Sequence, residues 1–224
     1  EKLIRKKRRQ YEIQNRQFAD MQPVPFLQEY LDRTTFRNKD GEVCEFTLLQ
    51  KHDLNLVLQK RYALLNWQQG SGKTAAVYHR AKYLLKFHKV RNAVILAPAI
   101  ATNMTWIPFL TINREKFRIV RSNADLETVP EDVFLILSTS MLSKLKRGLS
   151  QFVRRTSGKL CLVFDESDEI TNPSSQRTRL VLSIFRRLKY KILDTGTTTR
   201  NNIAELYSQF ELLYNNSVNM VCWC

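Results

Sequence analysis

Apolar residues in this chain of 224 residues fall into short runs separated by longer amphipathic stretches. The runs at 62–67, 93–97, 117–120, 133–137, 160–164 and 190–193 have strand length and read as strands. They are continuous rather than alternating, which predicts burial on both faces and hence a mostly parallel sheet between helices. The stretch 74–87 sets Val77, Ala81, Leu84 and Leu85 on one side of a helix, and a later helix carries Leu180, Ile184 and Leu188. The expected class is α/β with three layers.

The first 45 residues follow another pattern. Residues 1–20 read as a polar, basic helix or arm, and Pro23 and Pro25 interrupt any continuous helix because proline removes a donor and restricts its neighbour. Asn38, Lys39, Asp40 and Gly41, between more apolar flanks, predict a hairpin over 36–46 with an Asp-Gly turn. A boundary within 22–45 divides the chain into a basic extension, 1–45, and an α/β domain, 46–224. No internal repeat or low-complexity tract is visible.

Apolar residues at 43% and charged residues at 25% are ordinary globular usage. Charge is not ordinary: 36 Lys and Arg against 21 Asp and Glu leave +15, which favours a polyanionic partner, nucleic acid first. The cations collect over 2–16, over 80–91 (Arg80, Lys82, Lys86, Lys89, Arg91, with no acid) and over 144–159. Lys6, Lys7, Arg8 and Arg9 leave open a nuclear address, a DNA clamp or a solvated helix face. Four cysteines in no paired framework point to a reducing, intracellular compartment, and the Cys222 and Cys224 pair is half of a metal site or two free thiols. No run reaches the roughly 18 apolar residues of a membrane span. The chain starts at Glu1 without an initiator methionine and reads as an excerpt.

Chemistry enters at Gln69-Gly70-Ser71-Gly72-Lys73-Thr74, between a strand and a helix, the context of a phosphate loop. Gly70 and Gly72 let the backbone curl so that successive N–H groups, Ser71 among them, face an anion at the positive end of the helix. Lys73 reaches the β- and γ-phosphates of ATP, and Thr74 offers its hydroxyl to Mg2+. Trp67 stands where the full pattern has its first glycine. Further on, the apolar strand 160–164 ends in Asp165-Glu166-Ser167-Asp168, placing two acids at the sheet edge where ligands bind in open α/β folds. Asp165 suits magnesium and Glu166 suits proton abstraction from the attacking water. Lys73 and the two carboxylates are expected to converge from adjacent strands.

With both motifs placed, residues 48–213 resemble the first RecA-like lobe of superfamily-two helicases, closest to the Swi/Snf-type translocases. Asp165 to Asp168 is similar to their D-E-x-H box, with Asp168 at the usual histidine. Thr195-Gly196-Thr197, continuing to Tyr207, resembles their T-G-T-P coupling motif, with Thr198 at the expected proline. The resemblance implies that Asp168, Thr195, Gly196 and Thr197 link nucleotide state to nucleic acid contact. It also implies that the loops at Pro98 and at Ser138 and Thr139 touch a DNA backbone, with Trp106 more a packing residue than a contact. Gln50 stands where the family places an adenine-binding glutamine, with a competing local use, since Thr47 three residues earlier fits a capping box with that side chain. By the same resemblance, duplex DNA is the partner and hydrolysis needs arginines from a second lobe that this excerpt lacks. A viral packaging-type ATPase and a non-catalytic basic module are the alternatives.

Overall fold

Six of the apolar runs form one parallel sheet. The computed structural model describes residues 2–156, 158–196 and 206–214, and within them the chain order is α1 (Lys2–Asn15), α2 (Pro25–Asp32), β1 (Thr35–Arg37), β2 (Val43–Glu45), α3 (Leu48–Gln59), β3 (Tyr62–Leu65), α4 (Lys73–Lys86) and β4 (Asn92–Ala97). Then come α5 (Ala99–Ala101), a wide helical turn over Thr102–Trp106, α6 (Ile107–Ile112), β5 (Phe117–Ile119), β6 (Val133–Ser138), α7 (Leu142–Arg155), β7 (Leu160–Phe164), α8 (Gln176–Phe185), β8 (Tyr190–Asp194) and α9 (Tyr207–Leu213). The large sheet has the order β3-β8-β7-β4-β6-β5, every pairing parallel.

Burial follows from that order. β4, β6 and β7 are buried at every residue, as continuous apolar strands between two helical layers must be. One face carries α3, α4 and Trp106 over Ala63, Ile95, Phe134, Val163 and Ile192. The other carries α7, α8 and α9 over Val94, Leu135, Leu162 and Leu193. On α4 the stripe Val77, Ala81, Leu84 and Leu85 is buried as its spacing predicts.

The short sheet of β1 and β2 is the expected hairpin, paired Phe36 to Cys44. Gly41 turns at φ +85°, and the Asn38 side chain accepts from the N–H groups of Asp40 and Glu42. Residues 1–45 are not free-standing: Leu27 and Leu31 of α2 join the core of the first face, and Asn55 of α3 both accepts from Val24 N–H and donates to its carbonyl. Among the described side chains of α1, only Gln14 is buried.

One reading from composition is corrected. Arg80, counted among surface cations, is 1% exposed; its guanidinium donates to the carbonyls of Lys60 and Arg61, tying α4 to the chain entering β3. Charge counts are blind to which face of a helix a residue occupies. His79 beside it is also buried, and desolvation, with Lys82 adding repulsion, lowers its pKa to about 3, so it is neutral.

Candidate functional site

The phosphate loop leaves β3 and closes at Gly72, which caps α4 in the left-handed region at φ +80°, with Gly70 at +79°. The φ is what calls for glycine; a Cβ at Gly72 would lie 3.3 Å from Gln50 Nε2, a close approach to the end of that side chain. The loop is pinned from α3. Trp67 Nε1 donates to Asp53 at 3.0 Å, and Gln50 Nε2 donates to the Ser71 carbonyl at 2.9 Å. Gln50 also completes the capping box: its Oε1 accepts from Thr47 N–H at 2.8 Å while its own N–H donates to the Thr47 hydroxyl. Both ends of the amide are thus engaged, and adenine recognition requires it to change partners. Ser71 donates its hydroxyl to the Gln68 carbonyl. Lys73 Nζ donates to the carbonyls of Trp67 at 3.1 Å and Gln68 at 3.2 Å, and a Cβ built on Gly196 would lie 3.5 Å from it. Thr74 follows on the first turn of α4, half-buried.

Lys73 and the acids do meet at one edge, but not from adjacent strands. β8, the last strand in the chain order, lies between β3 and β7. It carries Asp194 into the gap. Phe164 and Leu193 are register partners, so Asp165 and Asp194 are the next residues of neighbouring strands. Asp194 is 0% exposed, no backbone N–H or cationic side chain among the described residues donates to its oxygens, and the carboxyl beside it is that of Asp165. Burial first, then the Asp165 charge, pushes Asp194 well above the usual carboxylate range, with Lys73 opposing. No motif named this residue. The signal was an acid ending an apolar strand beside Thr195 and Gly196.

Asp165 is 7% exposed, and Trp106 Nε1 donates to its Oδ2 at 2.7 Å. Trp106 is fully buried, so it is a packing residue with a second task, fixing the acid. Burial raises the Asp165 pKa while Trp106, Asp194, a backbone N–H and Lys73 pull it down. Glu166 is exposed, in the left-handed region at φ +52° and ψ +54°, and burial of its surroundings and repulsion from Asp165 and Asp168 raise its pKa. Asp168 is buried within the turn Ser167–Ile170, and Ser167 donates to Gln209 of α9 at 2.9 Å. Thr195 is buried, its N–H bonded to the Leu65 carbonyl, and Gly196 faces Lys73. Thr197, Thr198, Cys222 and Cys224 lie outside the described residues.

Farther along the same edge, Ala97 and Ser138 are register partners, so the loops expected to touch nucleic acid emerge side by side. Pro98 opens α5, with Ile100 and Met104 strongly exposed beyond it. Ser138 accepts from Ser140 N–H at 3.3 Å. Thr139 is 5% exposed, because the tight turn Thr139–Met141 directs it inward; Ser140 beside it is exposed, its hydroxyl 2.8 Å from that of Ser138. Thr139, expected to touch nucleic acid, is thus buried in this structure.

A likeness in sequence accompanies this geometry. The chain is 28% identical over 109 residues to the DNA annealing helicase and endonuclease ZRANB3 of Bos taurus, covering 49% of this chain and 10% of that protein. It is 27% identical over 164 residues to the chromatin remodeling factor mit1 of Schizosaccharomyces pombe, covering 68% and 11%. No family model matches. Among solved structures, the Sulfolobus solfataricus SWI2/SNF2 ATPase core in complex with dsDNA matches at a TM-score of 0.63 and 17% identity, over 77% of this chain and 36% of that one. The chain resembles the first lobe of Swi/Snf-type superfamily-two ATPases. The UvsW helicase of bacteriophage T4 shares the fold at a TM-score of 0.59 and 16% identity, over 84% of this chain and 64% of that one. The Swi/Snf-like lobe spans about a tenth of the length of the curated relatives it matches. These likenesses do not favour the packaging-type alternative.

Proposed function

We propose that this lobe binds ATP with Mg2+ on residues 70–74 and belongs to a DNA-dependent ATPase motor of the translocase or helicase kind. The observation that carries the reading is Lys73 Nζ lying against Gly196 and within electrostatic reach of Asp165, Glu166 and Asp194 at one sheet edge. The donor set suits magnesium, a hard cation that takes carboxylate, hydroxyl and phosphate oxygens: Asp165, its Oδ2 steadied by Trp106, and Thr74 would hold it. The ion would offset charge developing on the phosphates. Lys73 would exchange its loop carbonyls for phosphate oxygens. Glu166, exposed and with a raised pKa, would orient the attacking water and accept its proton as the γ-phosphoryl group passes to it.

Gln68, Gln69, Gly70 and Gly72 are exposed, so the loop is an open shelf. The reading calls for a facing surface that brings arginines, and turnover by this lobe without one should fall about 10³–10⁵ short, the worth of an arginine finger in related phosphoryl transfer. Duplex DNA would cross at Pro98 and at Ser138 and Ser140, where hydroxyls and backbone amides suit phosphate oxygens and carry no sequence information. No helix of the described residues is long and apolar enough to cross a membrane. ATPase measurements on the full-length protein with duplex DNA, single-stranded DNA and RNA test the proposal. Duplex should stimulate most, Lys73→Ala should abolish the activity, and equal or absent stimulation by all three would contradict the motor.

A further inference from the structure

The cations that the sequence distributes over separate clusters gather at the sheet edge remote from the phosphate loop. The last turn of α1 is clamped to the start of β3: Gln14 accepts from Arg61 N–H at 2.7 Å and donates to the Tyr62 carbonyl at 3.1 Å, while Lys60 Nζ donates to the Gln14 carbonyl at 3.1 Å. Two turns back along α1 stand Lys6 and Lys7. Lys6 lies within electrostatic reach of Lys89, just past α4, and Lys6 and Lys7 within reach of Lys189, just before β8. After burial, their repulsion helps lower the proton affinity of those amines, with Arg80 adding at Lys89 and Arg61 at Lys189. Next along this edge is Arg187, which with Arg154, Arg186, Ser150 and Ser183 lines a cleft of about 480 Å³ between α7 and α8. Lys6, Lys7, Lys89, Lys189, Arg154 and Arg187 are exposed and make no ion pair among the described residues.

We propose that this surface binds the phosphate backbone of duplex DNA, so that the chain holds nucleic acid at an edge separate from the one bearing the phosphate loop. Bringing like charges together has an electrostatic cost, and a line of phosphates offsets it by releasing counterions. Elements from four parts of the chain contribute, as suits an extended polyanion more than a single acidic side chain. β4 is six residues long, so the two edges lie about 20 Å apart at roughly 3.3 Å per residue. That exceeds the Debye length of about 8 Å at physiological salt, so cations here cannot serve a duplex held only at the opposite edge. The inference does not depend on ATP binding.

The test is fluorescence anisotropy of a 20-base-pair duplex titrated with the full chain across a salt series. The variants are Lys6→Gln/Lys7→Gln/Arg187→Gln/Lys189→Gln, and a second chain lacking residues 1–9, which leaves the Gln14 clamp in place. Each lost phosphate contact should reduce the slope of log K against log salt by about 0.9, so the fourfold variant should lose up to about 3.6 and the shortened chain, through Lys6 and Lys7, at least about 1.8. Lys73→Ala should leave the slope alone, and the fourfold variant should keep its affinity for a fluorescent ATP analogue, which separates this surface from the nucleotide site. Unchanged slopes in both variants would overturn the proposal. So would polyglutamate displacing the duplex as effectively as an equal charge of unlabelled DNA, which would assign the surface to an acidic polypeptide.

Discussion

Replacing Asp194 by leucine should make the protein more stable and less able to hydrolyse ATP. The side chain is fully buried, no N–H or cation among the described residues donates to its oxygens, and the charge that opposes its raised pKa is Lys73, already bonded to loop carbonyls. Replacing buried charged groups by apolar ones is commonly neutral or stabilising by up to about 4 kcal/mol when no partner is left unpaired; Asp165 keeps its own donor in Trp106, and the larger leucine offsets part of the gain. At about 2–4 °C per kcal/mol for a chain of this size, a gain near 2 kcal/mol raises Tm by roughly 4–8 °C. The pH dependence supplies a sharper sign. Asp194 has a folded pKa well above its unfolded value, so above about pH 4 the unfolded state releases a proton that the folded state keeps. Its contribution therefore erodes stability as pH rises from the unfolded toward the folded pKa, and Asp194→Leu should remove that slope. Thermal melts by circular dichroism at pH 5 and pH 8 measure both effects. A variant that melts below wild type, or that keeps the wild-type loss of stability between the two pH values, would refute the assignment of Asp194 as an unsupported buried acid.

Three further changes probe the site. Glu166→Gln should retain ATP binding while hydrolysis falls about 10²–10⁴-fold, the usual worth of a positioned general base, as single-turnover kinetics would reveal. Trp106→Phe removes a donor to a buried carboxylate and should cost about 1.5–3 kcal/mol in urea melts, with the Asp165 pKa rising further. Gln50→Ala breaks the capping box and the tether to Ser71 together. If adenine is also read there, affinity for ATP should fall more than affinity for GTP in calorimetry, whereas equal losses assign Gln50 to the loop alone.

Contiguous motifs were the legible part of this chain. Gly70 to Thr74 and Asp165 to Asp168 each act through neighbours in the sequence, so the strand before and the turn after could be read with them. The capping box of Thr47 and Gln50 was legible for the same reason. The tether from Gln50 to Ser71, 21 residues away, was not, because it depends on how α3 lies against the loop. Asp194 escaped because strand order is not written in strand sequence: nothing in 190–194 says that β8 slips between β3 and β7. Arg80 and Thr139 misled in a common way. Each belongs to a segment whose polarity suggests the surface, and packing turned that one side chain inward.

The left-handed backbone at Glu166 carries an implication for how this lobe can change. A residue with a Cβ is held there at a cost of about 1–3 kcal/mol, and glycine would sit in the same place unstrained. Thermodynamics alone therefore favours discarding the side chain that the proposed chemistry relies on. A chain that drifted toward greater stability at this one position would lose its base first, while the sheet, the phosphate loop and the cationic edge stayed as they are.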